Sequence, residues 1–73
     1  MSEIHYDLRN YVVDSNARWI RCTDRLPEEG LIVQTKIDDA GGVRNVQRLQ
    51  RRGRLWFHAD GKMYVYYTPT HWR

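Results

Sequence analysis

The chain has 73 residues, of which 41% are hydrophobic, and a formal net charge of +3. This length allows one domain, near the lower limit at which a single apolar core offsets the entropy of ordering the chain. Its single cysteine excludes an internal disulfide, and no apolar run approaches the roughly 20 residues of a membrane-spanning helix. With no export signal at the start of the sequence, we expect a soluble cytoplasmic protein.

The charges are distributed unevenly along the chain. Residues 40–73 contain seven Lys or Arg and one acid, whereas residues 1–39 contain five Lys or Arg and eight acids. A small protein polarised in this way is expected to present surfaces of different sign, docking through one and lying against a partner with the other. Composition and spacing alone therefore favour a small binding domain and do not name its partner.

The N-terminal segment allows two interpretations. Ile4, Tyr6 and Leu8 alternate as in a strand, while Ile4, Leu8 and Tyr11 also share one face of a helix. We therefore expect an irregular or partly helical extension that is flexible when free. It either offers an apolar and aromatic strip to a protein partner or pairs with the protein's own sheet.

A β-hairpin is predicted in the middle of the chain. Residues 31–37 predict a half-buried strand, because Leu31, Val33, Thr35 and Ile37 alternate with the remaining residues. The following Gly-Gly pair favours a tight turn, since glycine accepts positive φ at low cost. Residues 43–51 are then expected to return as the partner strand, although apolar residues at every third position also fit a helix.

Shorter elements complete the predicted fold. Strands are expected at 55–57 and 63–67, a further short strand at 18–22, and an edge or irregular exit after Pro69. The fold class is thus α+β, mostly β: a small three- to four-stranded antiparallel sheet. We expect a flexible extension at 1–16, a single β domain at 17–73, and a core anchored by the three tryptophans, Trp19, Trp56 and Trp72.

No catalytic or metal site is indicated by the residue pattern. The three histidines lack metal-ligand spacing, and Cys22 has no nearby cysteine or histidine with which to form a zinc site. Glu28 and Glu29 are adjacent, so their carboxylates are expected to point apart instead of forming an acid–base pair. We therefore predict a protein that is not an enzyme, with no cofactor.

Five arginines fall within eleven residues that contain no acid: Arg44, Arg48, Arg51, Arg52 and Arg54. In a regular strand Arg44, Arg48 and Arg52 share one face. Arginine suits phosphate and carboxylate recognition, and the neighbouring tyrosines could supply stacking faces for bases: Tyr64, Tyr66 and Tyr67. The alternative is that the arginines are solvated and the tyrosines belong to the core.

Several motifs along the chain resemble those of a family of small phage and bacterial domains of unknown function. The motifs are Trp19, the turn Asp24-Arg25-Leu26-Pro27-Glu28, the pair Gly53 and Trp56, and the closing Thr70-His71-Trp72. The resemblance covers residues 19–72. It implies a fold and a phage context, but no reaction.

The chain as a whole also resembles lytic-phage factors that bind the host's bacterial RNA polymerase, inhibit initiation and let elongation pass terminators. This resemblance implies a non-enzymatic regulator in the host bacterial cytoplasm, monomeric when free, close to nascent RNA or DNA and away from membranes. We expect Ile4, Tyr6, Leu8 and Tyr11 to contact the polymerase and the five arginines to meet polymerase or nucleic acid. A small nucleic-acid-binding module and a phage inhibitor of another host enzyme remain alternatives.

Overall fold

The computed structural model describes residues 18–73, which form a five-stranded antiparallel sheet. In chain order the strands are β1 (Ile20–Arg21), β2 (Ile32–Asp39), β3 (Gly42–Arg52), β4 (Leu55–His58) and β5 (His71–Trp72). Their spatial order is β1-β5-β2-β3-β4.

The antiparallel, mostly β prediction is confirmed, but the sheet has five strands where three or four were expected. The described residues contain no helix, and therefore none that could cross a membrane. The helical component expected for the N-terminal extension concerns residues outside the described range.

The central hairpin of β2 and β3 forms as predicted, and residues 43–51 are a strand, not a helix. Asp39 pairs with Gly42 across the turn, and Gly42 has φ 96°, a conformation that favours glycine. The Asp39 carboxylate accepts a 2.8 Å hydrogen bond from the backbone N–H of Gly41. The turn chemistry of this segment therefore agrees with the strand pairing on both sides of it.

A β-bulge interrupts this hairpin and changes the direction of its side chains. Thr35 pairs with Gln47 and Ile37 pairs with Arg44, so β3 has one more residue than β2 between the two pairs. Asn45 lies in this interval with φ 55°, a left-handed conformation that asparagine tolerates better than most residues. The expectation that Arg44, Arg48 and Arg52 share one face is therefore wrong.

The register on either side of the bulge puts Arg44 and Arg48 on opposite faces. Arg44 lies opposite Ile37, whereas Arg48 lies opposite Gln34 on the other face of the sheet. Arg52 follows Arg48 without a further bulge and shares its face.

The core lies on one face of the sheet, which we call the core face. Val33, Leu49 and Trp56 form its buried cluster, and the side chains that pack against the cluster are Cys22, Leu31, Val65, Tyr67 and Trp72. Thr35 is also buried there and donates a 2.7 Å hydrogen bond to the carbonyl oxygen of Gln47. Burial of these apolar side chains is the main stabilising contribution available to so small a domain.

The three tryptophans do not play equal parts. Trp56 is buried in the core cluster, and Trp72 is half-buried against it. Trp72 also donates a 2.7 Å hydrogen bond from Nε1 to the carbonyl oxygen of Arg25. Trp19 is half-buried but is not part of the cluster, so its prediction as a core anchor is wrong.

The last strand, β5, lies inside the sheet, between β1 and β2, and not at an edge as expected from Pro69. Pro69 precedes the strand, so its missing N–H is not needed in the ladder. Pairing begins at Thr70, whose N–H donates to Lys36 O at 2.9 Å and whose carbonyl accepts from Cys22 N at 2.8 Å.

Residues 63–67 do not form the strand that their composition predicted. They make one isolated bridge, between Tyr64 and Phe57 of β4, and the chain then leaves the edge. Val65 and Tyr67 pack against the core instead, because this segment must cross from β4 to the far side of β2 to begin β5.

Candidate interaction surface

The sheet face opposite the core carries several cationic side chains, and we call it the basic face. Arg48 lies opposite Gln34, and Arg52 lies opposite Leu55, which places both arginines on this face. Lys36, two residues after Gln34 on β2, shares it. Phe57 also lies on the basic face, because it pairs with Gln50. Gln50 shares that face with Arg48 and Arg52, since alternate residues of β3 point to the same side.

A row of aromatic rings borders the basic face beside β4. Phe57 and Tyr64 pack edge-to-face with their centroids 5.9 Å apart, and Tyr64 and Tyr66 do the same at 5.2 Å. Tyr66 is 87% exposed and Tyr64 is 40% exposed. The row therefore offers contiguous ring surface to solvent, and contiguous exposed patches, unlike scattered residues, mark interaction sites.

The local backbone explains why these tyrosines point outward. After the turn at Gly61, His58 N donates to Met63 O and Val65 N donates to Trp56 O, both at 2.8 Å, which holds the segment along β4. Side chains of an extended segment alternate between the two faces. Val65 therefore points toward the core, and Tyr64 and Tyr66 on either side of it point away.

Two arginines flank the ring row. The guanidinium carbon of Arg52 lies 5.5 Å from the Phe57 ring centroid, within cation–π distance, and Arg52 Nε donates to Gln50 Oε1 at 3.2 Å. Arg54 is exposed and lines a shallow groove together with Tyr64 and Tyr66. We call this set the arginine–tyrosine patch; its members are Arg52, Arg54, Phe57, Tyr64 and Tyr66.

Arg51 has a structural role instead. Its Nε and Nη2 donate to the carbonyl oxygen of Pro27 at 3.2 and 2.9 Å, and its Nη1 donates to Gly53 O at 3.0 Å. Glu29 lies 3.6 Å away as an ion-pair partner. These bonds fasten the loop before β2 to the end of β3, so Arg51 stabilises the fold.

Arg44 is committed to an ion pair at the other end of β3. Its Nη1 lies 2.8 Å from Asp39 Oδ1, and both side chains are on the surface. The hydrogen bond from Arg44, with a second from the N–H of Gly41, lowers the pKa of the Asp39 carboxyl. The same bond raises the pKa of Arg44. The arginine group predicted from the sequence thus separates. Arg48 and Arg52 lie on the basic face, and Arg54 lines the groove beside the tyrosines. Arg44 and Arg51 are bonded elsewhere in the fold.

Sequence reasoning missed a second cationic and aromatic cluster on the basic face. The Trp19 ring centroid lies 4.4 Å from Lys36 Nζ and 4.3 Å from the guanidinium carbon of Arg73. Lys36 Nζ also lies 3.2 Å from Asp38 Oδ2. No local pattern signals this cluster, because its members come together only through the pairing of β2 with the chain around β5.

An apolar groove lies on another part of the surface, lined in part by Cys22, Leu26, Pro69 and His71. Burial raises the pKa of the Cys22 thiol, which disfavours the reactive thiolate. Among residues 18–73, no group of three or more His, Cys, Asp or Glu side chains could hold a metal ion.

The predicted polymerase contacts lie outside the described residues. Those positions are Ile4, Tyr6, Leu8 and Tyr11, and they remain predictions.

Comparison with known proteins identifies the family. A family model described as "Protein of unknown function (DUF551)" matches residues 18–73, more than half of the chain. The chain belongs to this family. The match begins one residue before Trp19, and it confirms the resemblance to a small domain family of unknown function. No curated protein and no solved structure matches the chain. Membership of the DUF551 family specifies no activity.

Proposed function

We propose that this protein is a phage-encoded regulator that binds host bacterial RNA polymerase, inhibits transcription initiation and promotes antitermination, without catalysing a reaction. The observation that carries the proposal is the exposed arginine–tyrosine patch on a scaffold whose core occupies the opposite face. Arginine and aromatic residues are enriched in macromolecular interfaces, and Tyr66 of this patch has 87% of its surface exposed.

The charge of the domain supports a partner of this kind. Residues 18–73 contain eleven Lys or Arg and six Asp or Glu, which makes the domain more basic than the whole chain. Three of those acids face bases of the same domain in ion pairs: Asp38, Asp39 and Glu29. A transcription complex carries nucleic acid as well as acidic protein surface, and a basic domain is steered toward both. The choice of RNA polymerase itself rests on the resemblance to lytic-phage factors.

The proposal divides the work between two parts of the chain. The N-terminal strip, Ile4, Tyr6, Leu8 and Tyr11, provides apolar and aromatic contacts to the polymerase. The basic face supplies electrostatic steering and lies toward nucleic acid or acidic polymerase surface. Steering of this type accelerates association and weakens as salt rises.

Capture of purified host RNA polymerase by the immobilised full chain tests the proposal. The wild type is expected to retain the polymerase, and a variant with alanine at all four strip positions is expected to lose it. Val12→Ala/Val13→Ala is the matched control, because it removes apolar side chains from the same segment outside the strip. Tryptophan fluorescence, to which the buried Trp56 contributes, checks that each variant is folded.

One result would overturn the proposed function, and another would overturn only the contact assignment within it. Polymerase that does not bind the wild-type chain removes the function. Wild-type binding by the four-alanine variant removes the assignment of the strip and leaves the polymerase proposal intact.

A further inference from the structure

We propose that the arginine–tyrosine patch binds single-stranded nucleic acid, with bases stacked on Tyr66 and Tyr64 and phosphates held by Arg52 and Arg54. This inference rests on the proposed function in one respect: it names the ligand of the patch that the regulator would meet beside the polymerase. It concerns the isolated protein, however, and is tested without the polymerase.

The rings are arranged for stacking. Tyr66 is 87% exposed, so it adds little to the core, yet its edge-to-face packing on Tyr64 at 5.2 Å restricts its orientation. Tyr64 is in turn packed on Phe57, which the β4 ladder holds. A ring that is oriented before binding loses less conformational entropy when a base stacks on it. Stacking of this kind accepts any base, because every base has a π face.

The arginines are placed to contact the phosphates of a nucleic-acid strand whose bases stack on these rings. Arg54 lines the groove beside Tyr64 and Tyr66, and Arg52 lies over Phe57 with its Nε bonded to Gln50. The bond and the ring together orient the Arg52 guanidinium. Residues 40–73 contain a single acid, Asp60, whose Oδ1 accepts from Lys62 N at 2.9 Å. Glu29 also lies close, because its carboxylate accepts from Gly53 N and pairs with Arg51. With that pair balanced, Arg52 and Arg54 keep the local charge positive, which favours a polyanion.

The ring row distinguishes a single strand from a duplex. In a duplex the base faces are stacked on one another and are not available to side chains, so a basic surface alone binds duplex through its phosphates. Exposed rings add affinity only for strands whose bases are unstacked. The patch combines both features, which is the combination found in grooves that bind single strands.

Fluorescence anisotropy with labelled oligonucleotides tests the inference on the full-length chain. The probes are a single-stranded RNA of about 12 nucleotides, within the site sizes of single-strand-binding grooves, the DNA of the same sequence, and its duplex. We expect single strands to bind with a Kd of about 10⁻⁴–10⁻⁶ M at physiological salt, and the duplex to bind more weakly. Tighter binding of RNA than of DNA identifies RNA as the ligand of the patch, whereas equal affinities show that the patch binds any single strand. Both results support the proposal.

Substitutions assign the binding to the patch. Tyr66→Ala is expected to weaken single-strand binding by about tenfold, the loss of one stacked base, while Tyr66→Trp, which keeps a stacking face, retains it. Arg54→Gln is expected to reduce the slope of log K against log salt by about 0.7, the value for one phosphate contact on a single strand. Arg44→Gln, with the same charge change at a distant position, leaves the slope unchanged.

The outcomes separate this inference from the proposed function. Wild-type chain that captures polymerase but binds no single strand overturns this inference alone, and the reverse result overturns the polymerase proposal alone. Duplex bound as tightly as single strands, or single-strand affinity unchanged by Tyr66→Ala, also overturns it. If Tyr66→Ala abolishes polymerase capture and no oligonucleotide binds, the patch is a protein interface and the inference is wrong.

Discussion

The core face and the basic face of the sheet contain the same residue types in different roles. Arg51 bonds the carbonyl of Pro27 and fastens a loop, whereas the next residue, Arg52, lies over an aromatic ring on the other face. Tyr67 packs against the core and its hydroxyl accepts from Gln47 Nε2, whereas Tyr66 is exposed. Strand register, and not residue type, therefore decides which side chains stabilise the fold and which are available to a partner.

The largest difference between the faces is expected in stability. Leu49 is fully buried in the core, and Leu49→Ala should reduce the free energy of unfolding by about 2–5 kcal/mol, much of the stability of so small a domain. Val46 is on the same strand with 61% exposure, and Val46→Ala should change it by about 0.5 kcal/mol or less. Denaturant titration measures both. Equal losses for the two variants would show that β3 does not divide into a core side and a surface side.

The neighbouring arginines give a sharper test. Arg51→Ala removes several hydrogen bonds from a charged, largely buried donor and should cost about 1.5–3 kcal/mol of unfolding free energy. Arg52→Ala removes a surface cation–π contact and should cost about 0.5–1 kcal/mol. Thermal or denaturant unfolding of the two variants compares them directly. A larger loss of unfolding free energy for Arg52→Ala than for Arg51→Ala would contradict the structural role of Arg51.

The bulge that separates the faces depends on Asn45. Its φ of 55° is a left-handed conformation in which a β-branched residue is strained, so Asn45→Val should cost about 1–2 kcal/mol. Asn45→Gly adopts this conformation without strain and should leave stability close to that of the wild type. Unfolding measurements on both variants are the readout. A valine that is tolerated as well as glycine would argue against the bulge.

The smallest effect concerns the exposed pair at the far end of the hairpin. The pKa of Asp39 lies below its ordinary value of 3.8 because Arg44 and the N–H of Gly41 bond the carboxylate. Because the folded state has the lower pKa, the pair contributes stability above the unfolded value, and that contribution is lost as pH falls through the folded value. NMR titration of the Asp39 carboxyl carbon should give a pKa nearer 3.8 in Arg44→Gln. An unchanged titration would show that the pair does not form in solution.

Much of the sheet could be predicted because its signals are local. The alternation that ends at Ile37 and the glycine turn before Val43 specify a hairpin over a short stretch of chain. The short strand around Ile20 and the strand around Trp56 were also predicted and are present. Each of these predictions needed only the period of a strand and a turn that suits it.

Long-range and register effects could not be predicted in the same way. The bulge depends on one residue of difference between two strands, and that residue moved Arg44 to the other face from Arg48. The insertion of β5 between β1 and β2 requires pairing of residues far apart in sequence, such as Thr70 with Lys36 and Cys22. No local pattern contains this information.

The candidate surface was predictable only in its composition. The arginine cluster and the tyrosines near it were recognised as candidates, but Arg51 and Tyr67 have structural roles. Phe57, which links Arg52 to the ring row, was predicted as part of a strand and not as part of the surface. Which members of a basic and aromatic stretch face outward is a question of register.

Side-chain footprinting tests the central claim, that the arginine–tyrosine patch meets the partner, most directly. Hydroxyl-radical labelling of the chain would be compared with and without a host polymerase elongation complex that carries nascent RNA. The account predicts that Tyr64 and Tyr66, both exposed in the isolated chain, become protected, while exposed Leu26 on another part of the surface keeps its reactivity. Protection of Leu26 with unchanged labelling of Tyr64 and Tyr66 would contradict it.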